Sequence, residues 1–318
     1  MTSFKISRRG SASAWVHLAA TLTIIFWGMS FAGSKVLLDN GFSPVQVYVG
    51  RCLIAYVLLL LMSRGSLRAH SLQHELLFLL SGVCGGSVYF ITENASLLYT
   101  SSTNVSLITC TTPLITALLV GVLYRSERPN AGVVIGSIVA FAGVSLIVIG
   151  GAEHSAADAN SSAGLHLLGD FLALMSAICW SLYSLLLRKL NPIYSAIAIT
   201  RKTFFYGLVT SIPFLAFDHT PFHAERLLQP VVMGNFLFLG VLASTVCFAL
   251  WAWVVGKMGA IKSGTYLYFQ PIVTMIGGAL ILHEAITAMG LTGSIITIGG
   301  VALGNQLSRR IARHGRLF

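Results

Sequence analysis

The chain has 318 residues, of which 55% are hydrophobic and only 9% charged, and its mean hydropathy is +0.81. An average soluble domain carries about 25% charged residues, so the composition excludes an ordinary water-soluble globule and points to a lipid bilayer as the partner. The net charge of +10 sits in short clusters between apolar runs rather than on one basic face with interleaved aromatics, which argues against a nucleic-acid partner.

In chain order, a basic segment at 1–14 holds Lys5, Arg8 and Arg9. Ten apolar runs follow, each near the 20 residues or so that a helix needs to cross the hydrocarbon core. They lie at roughly 15–37, 44–62, 76–97, 102–123, 130–149, 167–187, 196–217, 231–254, 263–282 and 286–305. Between the fifth and sixth runs, residues 150–166 are polar and predict a linker outside the membrane. A basic tail closes the chain at 306–318. The fold class expected is an all-α integral membrane protein. With the N-terminus inside, seventeen of the twenty Lys and Arg fall on cytoplasmic segments. That bias predicts cytoplasmic termini in a plasma (inner) membrane.

The five cysteines, Cys52, Cys84, Cys110, Cys179 and Cys247, are scattered through apolar runs with no C-x-x-C pair. They predict neither a metal site nor a disulfide framework, and no cofactor is expected.

The two parts of the chain repeat one pattern. Residues 86–113, "GSVYFITENASLLYTSSTNVSLITCTTP", align without a gap on 244–271, "STVCFALWAWVVGKMGAIKSGTYLYFQP". Phe90 meets Phe248, Glu93 meets Trp251 and Pro113 meets Pro271. Further on, Glu127 meets Glu284; near the start of each part, Trp27 meets Trp180. Residues 15–149 and 167–305 are thus expected to be two five-helix repeats. Five is odd, so the second would enter the bilayer in the opposite sense, an inverted repeat with its site at the repeat interface.

Taken together, the tryptophan-glycine pair early in the first helix, the "ASLLYTSSTNVSLITCTTPLITALL" segment, the prolines of the fourth and ninth helices and the glutamates in "RSERPN" and "LHEAIT" resemble the drug/metabolite transporter superfamily, EamA type. The resemblance implies a ten-helix carrier of small solutes. It also implies a central cavity lined by the third, fourth, eighth and ninth helices with parts of the first and sixth. The function expected is an exporter of amino acids or related metabolites working by alternating access. The readings weighed against it are a drug or nucleotide-sugar carrier of the same fold and a membrane-embedded enzyme acting on a lipid-soluble substrate. No H-E-x-x-H, phosphate loop or aspartate-rich diphosphate motif supports the enzyme.

Glu93 is the acid that stands out, because a charge inside an apolar run is expensive and marks function by default. Its candidate ion-pair partners are Arg51 and Lys35. The competing reading is a partner for a substrate ammonium, or a protonatable coupling site. Tyr89 and Ser96 share its helix face, and Asn94 follows it. Trp251, with Trp27 and Trp180, is a candidate aromatic wall, where a cation gains cation–π energy. Thr111 and Thr112 before Pro113, and Tyr268 and Gln270 at Pro271, flank prolines that free a backbone carbonyl. In a membrane such a carbonyl needs a partner or a wet cavity. Both prolines are therefore hinge or binding candidates. Whether the protein is a monomer or homodimer is left open.

Overall fold

The computed structural model describes residues 13–63, 68–123, 130–156, 163–284, 286 and 288–314. The described residues are nearly all helical. The long runs are α1 (Ala14–Asp39), α2 (Pro44–Met62), α3 (Leu72–Ser96), α4 (Ser102–Leu123), α5 (Ala131–Ala156), α6 (Ala163–Leu190), α7 (Ala196–Ala216), α8 (Pro230–Met258), α9 (Ala260–Leu282) and α10 (Ala288–His314). Eight helices among the described residues are long and apolar enough to cross a membrane; α7, which carries Arg201 and Lys202 in its first turns, is not one of them, and in α5 the apolar part is the shorter Ala131–Gly143.

Helix starts follow from local chemistry. Serines precede α2, α3, α4 and α7, and each side chain accepts a hydrogen bond from a backbone amide of the first turn. This satisfies amides that the helix itself leaves free. At α2 the cap is reciprocal: Ser43 Oγ accepts from Gln46 N (3.1 Å), and Ser43 N donates to Gln46 Oε1 (3.2 Å). Gly259, at φ +82°, separates α8 from α9 without a further loop residue. Only glycine takes that backbone region freely.

The expected linker at 150–166 is narrower in the structure. α5 continues to Ala156 and α6 begins at Ala163, leaving 157–162 outside the described residues. The polar residues at 153–155 do not stop α5, because a helix keeps its own backbone hydrogen bonds in water as in lipid. The C-terminal tail is likewise helical to His314. Glu127 lies outside the described residues.

Packing interlocks the two parts of the chain. α1 lies against α8 and α9, while α6 lies against α3 and α4. α2 packs on α7, and α5 on α10. Close approach of α5 and α10 depends on facing glycines: a Cβ on Gly136 would stand 2.4 Å from Gly304 Cα, and one on Gly300 would stand 2.5 Å from Ala140 N. Gly132–Gly136 and Gly300–Gly304 each have the four-residue small-residue spacing that lets helices approach closely, and they face one another within the chain. Large apolar side chains such as Leu61, Val122 and Leu280 point outward, the inverse of a soluble protein's surface and suited to lipid.

Four of these helices are locally irregular. α3 widens to π-helix at Val83–Ser87, α8 at Phe238–Val246 and α9 at Gly278–Leu282. α4 is broken between Thr109 and Thr112, just before Pro113; α9 tightens to a 3₁₀ turn at Thr265–Phe269, just before Pro271. The two hinge-candidate prolines therefore each open a new helical segment, where a missing N–H does least harm.

Candidate functional site

Glu93 lies inward on α3, 3% exposed, with Asn94 fully buried beside it. Its Oε2 has no hydrogen-bond partner, and Tyr89, buried as well, stands one turn before it on the same helix face. Arg51 reaches the same region from α2. It is 1% exposed, its Nε donates to Ser244 Oγ of α8 (2.9 Å), and its guanidinium carbon sits 4.2 Å above the Phe90 ring. Both terminal guanidinium nitrogens lack a partner. The two charges feel one another electrostatically yet form no hydrogen bond that would satisfy either.

Beside this pair is a cluster of aromatic rings drawn from both parts of the chain. Trp27 of α1 lies 5.0 Å from Trp180 of α6, 5.2 Å from Trp251 of α8 and 5.5 Å from Phe248. Tyr89 lies 4.9 Å from Trp180, and Phe90 lies 5.8 Å from Phe248. Tyr89 and Phe90 thus connect the charged pair to the tryptophans. Trp27 is oriented by the wide turn of α8: its Nε1 donates to Ala243 O at 2.9 Å. π-Helical turns recur at functional sites because they rearrange backbone groups in this way. The indole nitrogens of Trp180 and Trp251, the Tyr48 and Tyr183 hydroxyls and Asn94 Oδ1 also lack partners. Native interiors rarely leave so many polar atoms unpaired in one place.

The other sequence candidates go elsewhere. Lys35 does not reach Glu93: its ammonium donates to Leu97 O (2.8 Å) and pairs with Asp39 (3.6 Å), one helical turn away. The shorter, local route wins for a long flexible side chain near a helix end. Tyr268 is buried in a separate cluster with Leu107, Cys110, Ala140 and Val301, because the tight turn before Pro271 aims it at α4, α5 and α10. Thr112 joins α4 to α6, its Oγ1 donating to Ala177 O (3.3 Å), while Thr111 Oγ1 is buried without a partner. Gln270 is buried, and its backbone carbonyl faces Gly28 of α1. Asn94 Nδ2 donates to Pro44 O at 3.2 Å. Ser244, Tyr48, Tyr183 and Phe248 belong to the cluster and were not candidates from sequence. The pairing of Phe90 with Phe248 was the one signal pointing to any of them.

A recess of about 390 Å³ opens between the start of α2, the end of α3 and the end of α7. Ile91 and Ala95 line it. They stand two residues on either side of Glu93 and so face away from it. Its lining is mainly apolar, with Ser43, Asp218 and Thr220 bonded among themselves; neither Glu93 nor Arg51 lines it, and the charged pair with its orphan atoms marks the site.

The EamA-like transporter family model matches residues 14–149 and again residues 167–305. An uncharacterized transporter of Archaeoglobus fulgidus is 26% identical over 287 residues, covering 90% of this chain and 96% of the relative. A probable terminal-alkyne amino-acid exporter of Streptantibioticus cattleyicolor is 25% identical over 307 residues, covering 94% and 96%. One solved crystal structure superposes with a TM-score of 0.71 at 17% identity, over 94% of this chain and all of that one; at that identity it speaks for the fold alone. With its apolar helices and its match to the family in both parts, the chain belongs to the EamA-like transporter family and is a multi-pass membrane transporter rather than an enzyme.

Proposed function

We propose that this transporter exports amino acids or related metabolites by alternating access between two inverted five-helix halves, residues 15–149 and 167–305, that close around the Arg51–Glu93 site. In this reading α1–α10 all cross the plasma (inner) membrane, with both termini cytoplasmic and 150–166 outside. The observation that carries it is a buried pair of opposite charges with unpaired atoms beside rings from both halves. Such a pair suits a ligand that brings its own charges into a desolvated place.

Other features support the arrangement. The sequence offset of 158 carries the π-turn of α3 onto 241–245, inside the π-turn of α8. The contacts of α1 with α8 and α9 have their counterpart in those of α6 with α3 and α4. The Streptantibioticus relative is named as an amino-acid exporter. Glu93 would hold the substrate ammonium, exchange it for a proton, or do both in turn; Arg51 is the coupling partner and Lys35 is structural.

The test is counterflow. Purified protein in liposomes preloaded with amino acids should accumulate labelled counter-substrate with no energy supply. If none of the common amino acids supports counterflow while a nucleotide sugar or a drug cation does, the substrate class is wrong. Turnover of a solute in detergent would overturn the carrier reading itself.

A further inference from the structure

Arg51 is held in a way that leaves one edge free. Its Nε is committed to Ser244 Oγ, and its flat face is committed to the Phe90 ring. What remains is the end carrying the two terminal nitrogens, both buried and both without a partner. That end is the one a carboxylate grips through two parallel hydrogen bonds. Neither aromatic packing nor the Ser244 contact competes for it.

Glu93 offers the complement. Its Oε2 is buried and unpartnered, and it stands one helical turn along from Phe90, whose ring lies 4.2 Å under the Arg51 guanidinium, without the two side chains pairing. With both groups ionised, the pair as a whole is electroneutral. A ligand with one charge would satisfy one member and leave the other buried and unsatisfied, which is the costly arrangement in a dry interior. A ligand with a carboxylate and an ammonium on one carbon satisfies both. The apolar part of such a ligand has one direction to take. Phe90 lies under the guanidinium and within 5.8 Å of Phe248, while Tyr89, one helical turn before Glu93, lies 4.9 Å from Trp180. Each charged anchor is thus one ring away from the tryptophan cluster.

We propose that Arg51 is the carboxylate receptor and Glu93 the ammonium receptor of a zwitterion site, specific for α-amino acids with large apolar side chains. The inference rests on the amino-acid reading above and adds which side chain reads which end. It also gives Ser244 a positioning role. Standing on α8, it fixes the edge that Arg51, on α2, presents, so substrate binding is sensed by both parts of the chain.

The experiment is competition in the counterflow assay. Phenylalanine and leucine serve as labelled substrates; phenylalanine amide, phenethylamine and 3-phenylpropionate serve as competitors. The wild-type protein should favour the zwitterion over each competitor by at least about 10-fold, since a site built for a polar group rejects analogues that lack it. Arg51→Gln should lose the preference over amide and amine, and Glu93→Gln the preference over phenylpropionate. Arg51→Lys should restore transport at raised KM, and Ser244→Ala should raise KM with kcat less affected. Equal competition by amide, amine and amino acid in the wild type would overturn the proposal even if the variants fail to fold. So would an Arg51→Gln variant that is transport-competent with unchanged discrimination. In both cases amino acids are still carried, so the amino-acid reading survives; absence of amino-acid counterflow would instead remove both.

Discussion

Glu284, just past the end of α9, caps the first turn of α4 at Ser102. Its Oε1 accepts from Ser102 N (3.0 Å) and Ser102 Oγ (2.8 Å), and its Oε2 accepts from Thr103 Oγ1 (2.8 Å). A carboxylate at a helix N-terminus satisfies free amides and complements the helix dipole. Here it does so for a helix more than 180 residues away in the chain. The preceding residue, His283, holds φ +56° to aim it.

Glu284→Ala is therefore expected to cost about 1–2 kcal/mol of stability, the range of a lost helix cap, and Glu284→Gln less. Thermal unfolding in detergent measures it. His283→Gly should be tolerated and His283→Val should not, because only the former takes a positive φ freely.

Two adjacent glycines of α10 should behave oppositely. A Cβ on Gly300 meets Ala140 N at 2.5 Å, whereas one on Gly299 meets nothing within 4 Å. Gly299→Ala should be neutral or stabilise by up to about 1 kcal/mol through helix propensity. Gly300→Ala must push α5 from α10, with an expected loss of about 1–3 kcal/mol. Yield and melting temperature of the two variants settle the comparison.

Lys202 of α7 is nearly buried and paired with Glu75 of α3, its ammonium 4.8 Å from the centre of the Phe78 ring. Removing one partner of a buried pair costs about 3–5 kcal/mol where the other charge is left unpaired; Lys202 keeps its contacts with the Phe78 and Tyr206 rings. Glu75 is partly exposed, so Glu75→Gln should fall near or below the bottom of that range. A double variant, Glu75→Leu with Lys202→Met, should recover much of the loss. Equal melting temperatures for single and double variants would contradict the pairing.

Glu93→Gln should insert and fold, and it should abolish the pH dependence of transport. The readout is counterflow against uptake driven by a proton gradient. Loss of the driven component with counterflow retained is the expected outcome for the coupling role. An unchanged pH response would remove that role from Glu93.

Outside the membrane-spanning segments, Asp218 follows α7 and accepts from Ser43 Oγ and Thr220 N. Partial burial pushes its carboxyl up, but these hydrogen bonds with His219 nearby outweigh it and hold it below the usual range. A depressed carboxylate stabilises the fold above its unfolded pKa, and that contribution fades as pH falls through the folded value. Acidification should thus loosen the contact between the start of α2 and the end of α7, and Ser43→Ala should loosen it at higher pH. Hydrogen exchange at residues 43–47 reports it.

Much of this was legible in the sequence, for reasons that differ by residue. The long helices are readable because a bilayer demands apolar runs of fixed length, and Glu93 is readable because an acid violates such a run. Arg51 and Lys35 were both visible as candidate partners for the same reason; the first is brought to its neighbourhood without a hydrogen bond, the second goes to Leu97 and Asp39. Ser244 was not, since serines are scattered through the chain and composition does not say which one meets a guanidinium. The partners of Glu284 were equally hidden, because a cap supplied from another helix leaves no local spacing. Tyr268 misled because its neighbour Pro271 marks a break in the helix but not the direction in which the side chain leaves it. The polar residues at 150–156 misled in the opposite way: helix continued where hydropathy ended.

The contact of Trp27 with Trp180, Trp251 and Phe248 has an energetic consequence for the cell. A membrane stores work as a voltage and a proton gradient, and any protein with a path through it threatens to short-circuit that store. Four rings in mutual contact, none able to relay a proton, would plug such a path on the alternating-access reading. A ligand that wedged them apart would then fill the opening it makes, so that each opening would already be occupied by cargo.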